Sequence, residues 1–179
     1  DLGPFQGPMA LTTDTESNLW VADTLNARLL LFTSRGRFDR VVDLRSLQQS
    51  AGLSQPPLIS DLACIGTDTL AIADEANTTI LVIDRQGQFL RRISGPGSLP
   101  ELLLQINRVS ADTEGRLYVE EVGRCRLAVF ARTGEFLGEL KGLGGVAVRA
   151  DGRILQPVFE GNPRERALEW YDLSGKKIG

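Results

Sequence analysis

The chain of 179 residues contains no histidine. That absence removes Ser-His-Asp and Cys-His catalysis, histidine-ligated haem, histidine-based zinc and copper sites, and the commonest general base near neutral pH. Any enzymatic chemistry would have to rest on carboxylates, lysine, tyrosine or a metal with oxygen ligands. Cysteine is nearly absent as well, with only Cys64 and Cys125. Two thiols cannot build a structural zinc site alone, and these two form no C-x-x-C pair. Both are expected as buried, unpaired thiols rather than as a disulfide. No apolar run reaches the ~18 residues of a bilayer-spanning helix. An excess of positive charge is missing too. The formal charge of −3 argues against a general nucleic-acid binder, and the doublets Arg91-Arg92 and Lys176-Lys177 read as solvated strand ends. No signal peptide is visible and the first residue is Asp1 rather than Met, so a removed leader or a longer parent chain is expected. Either suits an extracytoplasmic protein, periplasmic or secreted, and that is the expected location.

What is present is a fourfold repeat. The segment Leu19-Trp20-Val21-Ala22-Asp23-Thr24-Leu25-Asn26-Ala27-Arg28-Leu29-Leu30-Leu31-Phe32 aligns without a gap on two others. These are Leu70 to Ile83, with Asp74, Glu75 and Asn77, and Leu117 to Phe130, with Glu121, Arg124 and Arg126. Each reads as a strand, an acidic residue, a short polar loop and a second strand. A turn with glycine and an apolar residue follows each copy, a hairpin signature because glycine takes positive φ without steric cost. The turn glycines Gly36, Gly87, Gly134 and Gly175 lie 51, 47 and 41 residues apart, the period of a four-stranded propeller blade. Short apolar segments precede each copy: Met9 to Thr12, Leu58 to Cys64, Val109 to Ala111 and Val146 to Val148. The fourth copy is the weakest. It has Ile154-Leu155 and Ala167 to Tyr171 as middle strands, Gln156-Pro157 interrupts its pattern, and Glu160-Gly161-Asn162-Pro163 lengthens its loop. No repeat holds a helix-period stretch long enough for a helical solenoid.

The expected fold is therefore all-β: a β-propeller with four visible four-stranded antiparallel blades, at about residues 8–44, 57–94, 106–141 and 144–179 of one domain spanning 1–179. The core Leu19-Trp20-Val21-Ala22-Asp23-Thr24-x-Asn26-x-Arg28, led by Gly3-Pro4-Phe5-Gln6-Gly7-Pro8, resembles an NHL repeat. The first copy matches well, the third has Glu121 for the aspartate, and the fourth loses it. Members of that family usually have about six blades, so the resemblance implies either a compact four-bladed ring or, by preference, part of a larger or partner-completed propeller.

The same resemblance implies that partners dock on the face built from the loops between second and third strands and from the inter-blade linkers. Here that face would carry Asp23, Asn26, Arg28, Asp74, Glu75, Asn77, Glu121, Arg124 and Arg126. An acidic residue at a strand end with asparagine in the loop also serves to satisfy turn backbone groups or to bridge blades. Carboxylates around an axis could hold calcium, as in some lactonase-like propellers. No catalytic, cofactor or metal residue is assigned. Gly95-Pro96-Gly97 and Gly142 to Gly145 lack the context of a phosphate loop, Ser174 to Lys177 is a hairpin turn, and Asn77-Thr78-Thr79 fits a glycosylation acceptor only in a eukaryotic secreted protein. Of the long linkers, Arg45 to Pro57 is expected to hold one helical turn and Leu99 to Gln105 a short helix, its leucines packed beneath the ring or exposed for docking. The function expected is a non-catalytic protein–protein interaction scaffold, an accessory subunit of a larger assembly with protein partners and no nucleic acid or membrane insertion. The alternatives are a metal-dependent lactonase- or lyase-like propeller enzyme and a purely structural filler of a multi-subunit complex.

Overall fold

The computed structural model describes residues 3–95, 97, 99–142, 145–159 and 166–179, with nothing taken from the side chains of 158, 159 and 166. Blade 1 comprises β1 (Pro8–Thr13), β2 (Leu19–Asp23), β3 (Arg28–Phe32) and β4 (Phe38–Asp43). Blade 2 comprises β5 (Ile59–Ile65), β6 (Thr69–Asp74), β7 (Thr79–Asp84) and β8 (Phe89–Ile93). Blade 3 comprises β9 (Ile106–Ala111), β10 (Leu117–Glu121), β11 (Arg126–Phe130) and β12 (Phe136–Lys141). Blade 4 has β13 (Ala147–Val148), β14 (Ile154–Phe159) and β15 (Arg166–Tyr171). Every sheet is antiparallel and ordered as the chain runs.

The strands form where apolar residues fill both faces, because a sheet stacked between two others is buried on two sides. The leading face of a blade meets the blade before it and the trailing face meets the blade after it. In blade 2 the leading row Leu62, Ile72 and Leu81 packs on Trp20, Leu29 and Leu31 of blade 1. Its trailing row Ala63, Ala71 and Val82 packs on Val109, Val119 and Ala128 of blade 3. Tyr118, Leu127 and Val129 of blade 3 then meet Ile154 and Val146 of blade 4. Each fully buried Leu, Ile or Val in these clusters contributes about 1.5–3 kcal/mol. A register shift recurs at the same place in three blades, at Leu31/Phe32, Val82/Ile83 and Val129/Phe130, where the outer strand leaves its glycine turn.

Two local expectations need correction. The linker after blade 1 holds an eight-residue helix, α1 (Leu44–Ala51), not one turn. Asp43 caps it by accepting from the Arg45 N–H at 2.9 Å, Leu44 and Leu47 bury one face, and Gly52 ends it at φ 61°. Leu99 to Gln105 is not helical among the described residues; Leu103 is buried in the core cluster shared by blades 2 and 3 while Leu99 and Leu104 stay exposed. Among the described residues the sheet of blade 4 counts three named strands, and Lys177 to Gly179 run alongside β15 in the place of the fourth, the Ile178 N–H donating to Trp170 O at 2.8 Å. That segment makes an antiparallel bridge from Lys177 to Tyr171. Pro157 does not break β14, which continues to Phe159. Among the described residues that strand has no partner on the β13 side past Leu155, where a missing N–H costs nothing. The loop from Glu160 to Pro163 lies outside the described residues.

Candidate functional site

In an up-and-down blade, the loops after the second strands and the inter-blade linkers share one end of the sheets. This loop face is built by one device used in three blades. A loop residue one or two places after the acidic strand end donates its N–H to a linker carbonyl: Leu25 to Gln6 O at 3.2 Å, Glu75 to Leu58 O at 2.9 Å, and Val122 to Gln105 O at 3.1 Å. The acidic side chain completes the staple by accepting a linker N–H. Asp23 accepts from Gln6 at 2.7 Å, Asp74 from Leu58 at 3.0 Å, and Glu121 from Leu104 at 2.7 Å. The loops then reverse through a left-handed residue at the same position, Ala27 at φ 53°, Thr78 at φ 51° and Cys125 at φ 47°. Such residues are rare outside glycine and persist where surrounding bonds fix them.

The polar residues singled out from the sequence form these staples. Asp23 is fully buried and also accepts from Asn26 Nδ2 at 2.8 Å and Arg28 Nε at 2.7 Å. Burial raises the Asp23 carboxyl, but the bonds from Asn26, Gln6 and Arg28 outweigh it and hold its pKa below the usual carboxylate value. Asp74 is equally buried and binds Asn77 but no arginine, so burial prevails and its pKa is raised. Asn77 Nδ2 also donates to Gln55 O at 3.1 Å, which commits the amide of the Asn77-Thr78-Thr79 triplet. In blade 3 the buried Arg126 is paired with the Glu121 carboxylate and donates to Pro100 O at 2.7 Å, Leu102 O at 2.8 Å and Glu139 Oε2 at 2.5 Å. Arg124 donates to Leu102 O at 2.8 Å and Gly97 O at 2.5 Å. Asp23, Asp74, Glu121 and Arg126 are thus buried, while Asn26, Arg28, Asn77 and Arg124 are half-buried and Glu75 is exposed.

What the loop face presents to solvent is different, and the sequence offered only its leucines between Leu99 and Gln105, as one of two alternatives. Leu25 (72% exposed), Leu58, Leu99, Leu104 and Val122 stand outward from the stapled loops and linkers. Their signal was an isolated large apolar residue inside an otherwise polar loop, as in Asp23-Thr24-Leu25-Asn26 and Glu121-Val122-Gly123. Cys125 is exposed, not buried, because it occupies the left-handed position of the third loop. Cys64 is half-buried on β5, where burial pushes its thiol up to about 12. Both are free.

Around the axis, the inner strands line a recess of about 600 Å³ with Met9, Ser60, Asp61, Asn107, Arg108 and Val146 among its walls. Asp61 is the single carboxylate among the lining residues. Burial raises its pKa, although it accepts from the N–H groups of Val109 at 3.0 Å and Leu62 at 2.9 Å. Among the described residues no three His, Cys, Asp or Glu side chains gather as a metal site would require, and no helix is long and apolar enough to cross a membrane.

Stacked antiparallel blades around a common recess define the β-propeller class, and comparison with solved structures agrees. The chain is similar to hydrazine synthase of Kuenenia stuttgartiensis (15% identity, TM-score 0.67, 99% of this chain and 49% of that one). It is similar to virginiamycin B lyase of Staphylococcus aureus (14%, TM-score 0.65, 98% and 56%) and to the WD40 repeats of RRP9 (14%, TM-score 0.70, 98% and 51%). The chain spans about half the length of these proteins. No family model matches the sequence, and no curated protein does.

Proposed function

We propose that this chain is a non-catalytic protein–protein interaction module, an NHL-type propeller scaffold serving as an accessory subunit of a larger assembly, with the loop face as its docking surface. One observation carries the reading: Leu25, Leu58, Leu99, Leu104 and Val122 are held outward by loops that are themselves fixed by buried staples. Large apolar side chains displayed on a rigid, polar-rimmed frame are what protein interfaces use as anchors. Fixing the loops beforehand lowers the ordering cost of association. The neighbours with WD40 repeats lend support by fold only.

The similarity to a lyase raises an enzymatic reading, whose chemistry would fall to the axial recess. Asp61 there is held by two backbone N–H groups in place of a catalytic partner, and the interaction reading is preferred. Hydrolysis of lactones or esters that is lost in Asp61→Asn would reverse that preference.

The test is affinity capture from the native source with the wild-type chain and with a Leu25→Glu/Val122→Glu variant. The expected outcome is a stoichiometric protein that the wild type retains and the variant loses. Absence of any stoichiometric partner, or equal retention by both, would overturn the proposal.

A further inference from the structure

At the turn end of the blades, opposite the stapled loops, two successive seams carry the same pair of positive charges, and one of the two seams leaves the pair unmatched. In the seam of blades 1 and 2, Arg40 lies opposite Leu31 on the outer strand, and Arg85 stands in the outer turn of blade 2, two residues before Gly87. Each has a carboxylate. Arg40 Nε meets Asp39 at 3.0 Å, and Arg85 Nη1 meets Glu16 at 3.1 Å and Asp14 at 3.9 Å. The seam of blades 2 and 3 keeps both cations without their anions. Arg91 lies opposite Val82 as Arg40 lies opposite Leu31, and Arg132 stands two residues before Gly134. Leu90 takes the place of Asp39, and the inner turn that supplies Asp14 and Glu16 in blade 1 is cut to Gly66-Thr67-Asp68 in blade 2. Among the described residues no carboxylate forms an ion pair with Arg91 or Arg132.

The two arginines are nonetheless held together. Arg91 is half-buried on the trailing face of blade 2, and its Nη2 donates to the Arg132 carbonyl of blade 3. Its Nε is buried with no hydrogen-bond partner. Arg132 lays its stem over Gly115, where a Cβ would stand 3.0 Å from its Cδ and 3.1 Å from Ile65 Cγ2 of blade 2. Burial, and after it the charge of Arg132, lower the Arg91 pKa. A guanidinium keeps its proton through such a shift. The seam therefore holds two positive charges partly sheltered from water, and no acidic side chain among the described residues pairs with either.

We infer that Arg91 and Arg132 form a binding site for a tetrahedral oxyanion of the phosphate or sulfate class, at the turn end of the seam between blades 2 and 3. A guanidinium presents its N–H groups as a planar fork that matches two oxygens of such an ion. Two forks arriving from two blades call for an acceptor with three or four oxygens, which chloride and a single carboxylate do not supply. Arg91 Nη1 and the side-chain donors of Arg132 have no protein acceptor among the described residues. The anion stands where Asp39 and Glu16 stand in the seam before, and by bridging Arg91 to Arg132 it ties blade 2 to blade 3.

This seam is at the other end of the blades from the loop face, so the anion site and the docking surface stand or fall independently. The test is thermal unfolding of the full chain titrated with sodium phosphate or sodium sulfate, the ionic strength held constant with sodium chloride. It is run on the wild type, Arg132→Gln and Arg92→Gln. Arg132 is exposed, and Arg92 is an exposed arginine opposite Leu81 on the other face of β8, so its loss removes the same charge away from the seam. The expected result is a saturable rise in the wild-type melting temperature of about 3–6 °C at about ten times the dissociation constant. Arg92→Gln keeps that rise and Arg132→Gln loses it. Phenyl phosphate, titrated in parallel, separates the sources of the anion. Half-saturation below that of inorganic phosphate assigns the site to a phosphoryl group on an organic ligand, and half-saturation above it to the free ion. No rise, a rise that does not saturate, or an equal rise in Arg132→Gln would overturn the proposal, the last two being general salt stabilisation.

Discussion

Arg126 offers the sharpest test of how the loop face is held. Its guanidinium is 1% exposed and joins the Glu121 carboxylate, the Glu139 carboxylate and the carbonyls of Pro100 and Leu102. Arg126→Met keeps similar volume but removes the counter-charge in direct contact with buried Glu121, leaving only Arg124, 3.9 Å away. Breaking a buried ion pair from one side costs about 3–5 kcal/mol. Removing the partner as well, in Glu121→Met/Arg126→Met, takes away the stranded charge, so the double variant is expected to cost less than the two single variants together. The remaining loss is that of the Leu104 N–H and Pro100 carbonyl bonds, about 1–3 kcal/mol. A coupling energy of about 2–3 kcal/mol between the two positions follows. Urea unfolding followed by the fluorescence of Trp20, buried between blades 1 and 2, gives these differences. An Arg126→Met variant that loses less than about 1 kcal/mol, or additive single variants, would refute the staple as the source of loop rigidity.

Further outcomes follow from the same geometry. The Asp23 pKa is lowered, so its contribution is present above the ordinary carboxylate value and is lost as pH falls through the folded value. The Asp74 pKa is raised, so its contribution is largest below the ordinary value and fades as pH rises through the folded one. Unfolding measured at neutral and acid pH should show Asp23→Asn costing more than Asp74→Asn at neutrality, by about 1–3 kcal/mol, with the gap closing in acid. Iodoacetamide should label the exposed Cys125 in the native chain and spare Cys64, whose thiol is held near 12, as peptide mass mapping would reveal. Gly87→Ala places a Cβ 2.5 Å from Val42 of blade 1 at φ +86°, whereas Gly36→Ala at φ +73° meets nothing within 4 Å. Thermal unfolding should therefore show the larger loss at Gly87, by about 1–3 kcal/mol.

The blade repeat was legible because three signals recur in one order: an apolar strand, an acid with a polar loop, and a glycine turn. Burial on both faces makes that pattern hard to mistake, and the fold class was read correctly from it. Shorter elements depended on tertiary partners. Pro100 and the leucines after it suggested a helix, but the carbonyls of Gly97, Leu99, Pro100 and Leu102 accept from Arg124 and Arg126. Those guanidiniums take the acceptors that helical bonds would have used. α1 was underestimated, although its Asp43 cap and Gly52 stop were in plain sight. At the candidate site, the sequence located the loops but not the direction of their side chains. Asp23 and Leu25 are two residues apart, yet one is buried and the other open, because only Asp23 finds the linker N–H of Gln6 within reach.

The docking of a protein on the stapled loop face is tested most directly by hydrogen–deuterium exchange on the complex captured from the native source. Protection is expected in peptides containing Leu25, Leu58, Val122 and the stretch from Leu99 to Leu104. Protection confined to the opposite end of the blades, at the turns of Gly36, Gly87 and Gly134, would contradict it.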